Sequence, residues 1–222
     1  ATGLRPLIWS GVYALLLLSV LTPFSVLTIF MIPIPGLVLF MLLDRVPFMI
    51  HYGLILMLVW LIAGPLGLPL VLISLFFIVP TIVMGRLYKQ QKPAYFTIAA
   101  GILTFLGELV LILLLITSFG PNPVEWMRQF IQESIATVPE ALWQGLTEEH
   151  INQAIAMTTR MIPLYLLFIS FWYTAITHTL GVRLLKAVAG IEVPRMKPVR
   201  EWMLPRSLVW YYLAALILDL FT

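Results

Sequence analysis

The chain of 222 residues contains no cysteine and few charged residues. The absence of cysteine excludes disulfides, zinc sites with thiolate ligands and cysteine nucleophiles. Charged residues make up 10% of the chain, against about 25% in ordinary soluble domains, whereas 61% of the residues are hydrophobic. A soluble core of this size cannot bury so much apolar surface. We therefore expect an all-α integral membrane protein, a polytopic helical bundle that forms a single membrane domain over residues 1–222.

Sequence motifs of common enzymes are also missing. The chain has no glycine-rich phosphate loop, no His-Glu-x-x-His and no serine paired with a credible base. The polar residues inside its apolar segments are too few and too scattered for a hydrolytic site. We therefore expect neither enzyme activity nor a cofactor. The basic residues lie in short loops beside apolar runs, which indicates a lipid bilayer and not a nucleic acid as the partner.

Long apolar runs recur along the chain, and a run of about 20 such residues crosses roughly 30 Å of hydrocarbon. They predict about seven spans, at roughly 7–22, 24–43, 47–63, 66–85, 94–118, 161–183 and 206–221. No small-residue cleavage site follows the first run, so we expect a retained helix and not a signal peptide. The last run has about 16 residues, which leaves open both its role as a span and the completeness of the chain.

The positively charged residues indicate the orientation of these spans. Of the 13 Lys and Arg residues, Arg128 and Arg160 fall on one side of the predicted bundle and the other eleven fall on the opposite side. By the positive-inside rule, the N-terminus and the basic loop 184–205 are cytoplasmic, and segment 119–160 is external. We expect a multi-pass protein of a bacterial cell membrane.

The external segment 119–160 has a helical pattern of its own. Apolar residues, among them Phe130 and Ile131, recur at helical spacing with polar residues between them, which predicts an amphipathic helix on the bilayer or on the bundle. Pro139 is expected to end this helix. Thr147 precedes two glutamates and predicts the start of a second helix, which continues into the sixth span.

Glu108 is the sharpest candidate for a functional residue. It lies about 14 residues into the fifth span, near the expected bilayer centre. An ionisable group at this depth costs roughly 2–3 kcal/mol or more and usually faces the protein interior. It is either a ligand contact or proton site, or a protonated carboxyl in a structural hydrogen bond. The expected polar neighbours lie on the sixth span and are Tyr173, Thr174 and Thr177.

The second span contains the sequence I-P-I-P-G, with Pro33, Pro35 and Gly36 in its middle. Each proline removes a backbone donor and strains the preceding turn. Irregular backbone at membrane depth is tolerated where protein or water surrounds it. The motif therefore predicts either a discontinuous helix that lines a ligand cavity, as in many transporters, or a kink that neighbouring helices absorb.

Two sets of residues are candidates for docking a partner. Ser10 and Ala14 place small side chains at helical spacing on the first span, where they favour close packing with another membrane subunit or within the chain. Arg200, Trp202 and Arg206 belong to a basic strip with aromatic residues at the cytoplasmic surface. Such a strip anchors a loop on anionic lipid or docks a cytoplasmic protein.

The C-terminal part also carries a family resemblance. The stretch 199–212 reads V-R-E-W-M-L-P-R-S-L-V-W-Y-Y and resembles a motif of the YybS-like family, bacterial multi-pass membrane proteins of unknown function. A P-x-P in the second span and the hairpin G-P-L-G-L-P-L agree with this resemblance. The family is distantly similar to S subunits of energy-coupling-factor transporters. That similarity implies a helical bundle with an outward-facing pocket, but no vitamin-contacting residue is carried over.

These observations leave three hypotheses for function. The first is a transporter-like protein, a substrate-binding or S-subunit-like component for a small molecule, with a polar cavity around Glu108. The second is a membrane scaffold or interaction protein with a filled bundle. The third is an enzyme acting on lipid, which would need a polar cluster at one membrane interface, and the sequence shows none.

Overall fold

The computed structural model describes residues 3–120, 122–136, 147–196 and 210, and their regular structure is helical. A short 3₁₀ turn, Gly64–Leu66, joins the fourth helix to the fifth, and a π-helical turn, Leu185–Ala189, extends the last one. The helices are α1 (Leu4–Ser19), α2 (Ser25–Ile29), α3 (Pro33–Leu42), α4 (Arg45–Ala63), α5 (Gly67–Lys89), α6 (Ala94–Phe119), α7 (Pro123–Ala136) and α8 (Glu148–Leu184).

The expectation of an all-α protein with helices that can cross a membrane is confirmed. Four stretches of the described residues are long and apolar enough: Ser25–Leu42, Arg45–Lys89, Ala94–Phe119 and Glu149–Ala189. The second stretch contains both α4 and α5, and α1 is a shorter apolar helix. These stretches do not confirm the count of seven spans, and the predicted last span at 206–221 lies outside the described residues.

The helices α4 and α5 form a tight antiparallel hairpin. Gly64 ends α4 with φ of +56°, a left-handed conformation that suits a residue without a side chain. Across the hairpin, the Tyr52 hydroxyl lies 2.9 Å from Ser74 Oγ. At the turn, a Cβ added to Gly67 would lie 2.7 Å from Trp60 Cα, so the two helices approach too closely there for any side chain.

The centre of the bundle is formed by α3 and α5. Eight of the ten residues of α3, Pro33 to Phe40, are buried. The helix α3 contacts α1, α4, α5 and α8, and α5 contacts α1, α3, α4 and α6. The pair α1 and α4 therefore lies on one flank of the centre, and the pair α6 and α8 lies on the other.

The predicted second span is divided into two helices. The helix α2 ends at Ile29 and α3 begins at Pro33. The two prolines therefore fall in the first turn of α3, where a missing N–H costs no helical hydrogen bond. The turn between the helices is held by Met31 N–H donating to Thr28 O at 2.9 Å and by Ile34 N–H donating to Met31 O at 3.1 Å.

The helix α8 begins where the sequence predicts. The hydroxyl of Thr147 accepts a hydrogen bond from the backbone N–H of His150, and Nδ1 of His150 accepts one from the N–H of Thr147. This reciprocal cap satisfies donors at the helix start. With 37 residues, α8 is about 55 Å long, so it extends beyond a hydrocarbon core of roughly 30 Å.

The amphipathic helix predicted after the fifth span corresponds to α7. Its Trp126 and Phe130 rings stack at 5.9 Å, and Phe130 is 58% exposed. The described part of the chain therefore does not cover the apolar face at Trp126 and Phe130, and we expect the membrane surface to cover it. The predicted helix end at Pro139 lies outside the described residues.

Candidate functional site

Glu108 lies in the middle of α6, where the packing of that helix changes. Residues on the N-terminal side, such as Thr97, Gly101 and Phe105, are buried, whereas nearly all residues from Val110 to Phe119 are exposed. The carboxylate is half-buried, and its Oε2 atom is buried without a hydrogen-bond partner. A buried acceptor costs free energy until a hydrogen-bond donor is supplied to it.

Tyr173, on α8, packs against the turn of α6 that precedes Glu108. Its side chain is 4% exposed, and its ring stacks on Phe105 and Phe77 with centroid distances of 4.4 and 4.8 Å. The ring of Phe30, in the break between α2 and α3, is 6.2 Å away. These aromatic contacts hold the ring firmly, yet its buried hydroxyl has no hydrogen-bond partner.

The Tyr173 ring stacks on Phe105, one turn before Glu108 on the same face of α6, and neither the Glu108 Oε2 atom nor the Tyr173 hydroxyl has a hydrogen-bond partner. Most buried polar atoms in proteins have a partner, and each one that lacks a partner costs about 1–3 kcal/mol. The two buried atoms lie in the same part of the bundle, and each lacks a hydrogen-bond partner. We call Glu108 and Tyr173 the orphan pair.

A satisfied hydroxyl cluster lies next to the orphan pair. Ser74 Oγ is 2.9 Å from the hydroxyl of Tyr13 and 2.9 Å from that of Tyr52, which connects α1, α4 and α5. Tyr13 and Tyr173 belong to the same cluster of buried side chains. This hydroxyl cluster was not predicted from the sequence, where the available signal is Ser74, the one polar residue between Gly67 and Thr81.

The predicted neighbours Thr174 and Thr177 are buried, but they contribute to packing. A Cβ added to Gly101 would lie 2.7 Å from Thr174 Cγ2, so α6 and α8 pack closely at this threonine. Thr177 donates its hydroxyl hydrogen to Tyr173 O at 2.9 Å. Of the three sixth-span residues predicted near Glu108, Tyr173 is the one that stacks on Phe105, one turn before Glu108. Ligand contact by the two threonines stays a prediction.

The I-P-I-P-G motif lies beside the orphan pair through the helix break. Pro33, Pro35 and Gly36 are themselves buried inside α3. A Cβ on Gly36 would lie 3.1 Å from Ile78 Cδ1, so the glycine allows α3 to pack closely on α5. Phe30, just before the motif, is the residue of the break that contacts Tyr173.

The predicted docking residues on α1 face the rest of the chain. Ser10 Oγ donates to Pro6 O and lies 2.9 Å from His51 Nδ1 on α4, and Ala14 is 5% exposed in the core. Both residues therefore serve packing within the chain, and docking of another subunit through them stays a prediction. Arg200, Trp202 and Arg206 lie outside the described residues.

The C-terminal end of α8 leads into a second polar group. Lys186 Nζ lies 2.7 Å from Glu192 Oε1, and Gln91 Nε2 donates to Glu192 O. The hydrogen bond from Lys186 lowers the pKa of Glu192 below its usual range. A cavity of about 280 Å³ lies beside this ion pair, with Val182 and Arg195 among its lining residues. A second cavity, of about 250 Å³ and apolar, lies between α6 and α8 and includes Phe168.

Comparison with curated proteins and with solved structures gives no match. A family model described as "Predicted membrane protein (DUF2232)" matches residues 12–222, which is nearly the whole chain and includes every helix described above from Val12 onward. The apolar helices agree with that description, since four helical stretches are able to cross a membrane. The chain belongs to the DUF2232 family of predicted membrane proteins.

Proposed function

We propose that this protein is a transporter-like membrane component that binds a small molecule, similar in role to the S subunits of energy-coupling-factor transporters. The observation that carries the proposal is the orphan pair, Glu108 Oε2 and the Tyr173 hydroxyl, both buried and without partners. A polar group at membrane depth is expensive and marks a functional site by default. A ligand that bonds both atoms would recover this cost.

The surroundings of the orphan pair support a binding site. The helix break between α2 and α3 lies next to it, and broken helices at the bilayer midplane are a common way to build transporter sites. Tyr173 is held by stacked rings, so its hydroxyl is presented at a fixed position. Because the ring of Tyr173 is already ordered, a ligand that bonds its hydroxyl does not bear the entropic cost of ordering that side chain.

A membrane scaffold is the second candidate function, and one observation favours it. The apolar cavity between α6 and α8, which includes Ile102, Leu164 and Phe168, has about 250 Å³ and would accept a side chain or a lipid tail. Many large apolar residues of α6 and α8 are exposed, as they also would be toward lipid alone. This second function requires no ligand at Glu108.

In the topology that we propose, the protein crosses a bacterial cell membrane about seven times and has its N-terminus in the cytoplasm. A reporter fused after Gln91 is expected to lie in the cytoplasm, because the basic residues Arg86, Lys89 and Lys92 keep that loop on the cytoplasmic side. A reporter after Gln144 is expected to be external. An external result for the fusion after Gln91 would reverse the orientation of every span.

Binding is tested with the full chain in lipid nanodiscs incubated with a bacterial small-molecule extract, followed by washing and mass spectrometry of retained compounds. We expect at least one compound that the unaltered protein retains and Glu108→Gln loses. Glu125→Gln, on the exposed surface of α7, is the matched control because it removes the same charge elsewhere. Retention of no compound, or equal retention by both variants, would contradict the proposal.

A further inference from the structure

We infer that the ligand of the orphan pair is a small organic cation that carries hydrogen-bond donors, such as an ammonium compound. This inference rests on the proposed function, because it states the chemical class of the molecule bound there. It follows from the charges, the donors and the acceptors that the structure places around Glu108 and Tyr173.

Glu108 has no oppositely charged partner among the described residues. The ion pairs found within the described ranges join Arg128 to Glu125 and Lys186 to Glu192, and neither involves Glu108. An ionised carboxylate offers acceptors alone and needs donors, which an ammonium group supplies together with the opposite charge. An anionic ligand would instead place two like charges together at membrane depth.

The start of α3, beside the helix break, is poorly suited to binding an anion. A helix start attracts anions because its first N–H groups are free. In α3, Pro33 and Pro35 remove donors within that first turn. This half-helix is therefore poorly equipped to bind a phosphate or a carboxylate, although it lies close to the orphan pair through Phe30 and Tyr173.

The orphan pair suits an organic cation better than a metal ion. Calcium and magnesium take six or more oxygen ligands in a dense shell. Over residues 3–120, 122–136, 147–196 and 210, no three His, Asp or Glu residues gather in a way that could hold a metal ion. One carboxylate and one phenol instead match an ammonium group, whose N–H donors are satisfied by a few separate acceptors. Tyr173 can accept one such hydrogen bond through its hydroxyl oxygen.

The inference is tested by asking whether the protein retains cationic, neutral or anionic compounds. A bacterial small-molecule extract is separated by ion exchange into cationic, neutral and anionic fractions, and each is incubated with the full chain in nanodiscs. We expect retention from the cationic fraction. Glu108→Gln should lower that retention by about 10- to 100-fold, because a charge-assisted hydrogen bond is lost. Tyr173→Phe keeps the stacked ring and should lower retention by roughly 2- to 10-fold.

The outcomes distinguish the inference from the proposed function. Retention from the anionic or neutral fraction that Glu108→Gln abolishes would overturn the organic cation and leave the binding function standing. Retention from no fraction would overturn both. Retention of cations that Glu108→Gln does not alter would place the site elsewhere and overturn the inference. Glu125→Gln is again the control, and its retention is expected to equal that of the unaltered protein.

Discussion

Replacement of Gly67 by alanine is expected to destabilise the protein by about 1–3 kcal/mol, the usual cost of overpacking. The added Cβ would lie 2.7 Å from Trp60 Cα and 2.8 Å from Trp60 O. Both are backbone atoms, so relief requires that α4 move away from α5 and not that one side chain rotate. The measurement is the unfolding of the purified protein in detergent, followed by circular dichroism.

The matched control for this substitution is Gly107→Ala. No atom lies within 4 Å of a Cβ at Gly107, which is inside α6. Alanine is favoured over glycine in a helix interior by about 1 kcal/mol, so the control should be neutral or stabilising. Equal stability of the two variants would contradict the close approach of α4 and α5 at the hairpin.

The ligand-free protein is expected to become more stable when Glu108 is replaced by leucine. An unsatisfied buried polar atom costs about 1–3 kcal/mol, and an apolar side chain of similar size removes that cost. Tyr173→Phe should also stabilise the ligand-free protein, but by a smaller amount, because it removes one neutral hydroxyl. Unfolding in detergent, with no extract added, measures both effects.

Ser74→Ala provides the opposite control. The hydroxyl of Ser74 serves both Tyr13 and Tyr52 at 2.9 Å, so its removal leaves two buried phenols without their shared partner. We expect this variant to lose about 1–3 kcal/mol of stability. If Glu108→Leu destabilised the protein as Ser74→Ala does, the carboxylate would have a structural role and the orphan pair would not be a binding site.

Much of the fold could be predicted from the sequence because the signals are local. The apolar runs at 47–63 and 94–118 lie within α4 and α6, the run at 66–85 begins one residue before α5, and the cap at Thr147 marks the start of α8. Hydrophobic length and capping depend on neighbouring residues alone, so a single sequence carries them. The I-P-I-P-G motif predicted a discontinuous helix or a kink in the second span, and the structure has a break that directly precedes Pro33.

The site could be predicted in part. Glu108 is conspicuous because it is an acid within an apolar run, and Tyr173 was among its three expected neighbours. The stacking of Tyr173 on Phe77 and Phe105, and the cluster of Tyr13, Ser74 and Tyr52, join helices that are far apart in sequence. Periodicity within one helix does not indicate which residues of distant helices meet.

The most direct test of the binding site is water access at position 108. The chain has no cysteine, so Glu108→Cys introduces a single thiol. A membrane-impermeant, cationic methanethiosulfonate reagent added from outside is expected to modify it. Leu111→Cys, one turn further along α6 and exposed where lipid is expected, should react at least about tenfold more slowly, because the reactive thiolate does not form in hydrocarbon. Equal rates, or an inert thiol at position 108, would contradict a ligand site at Glu108.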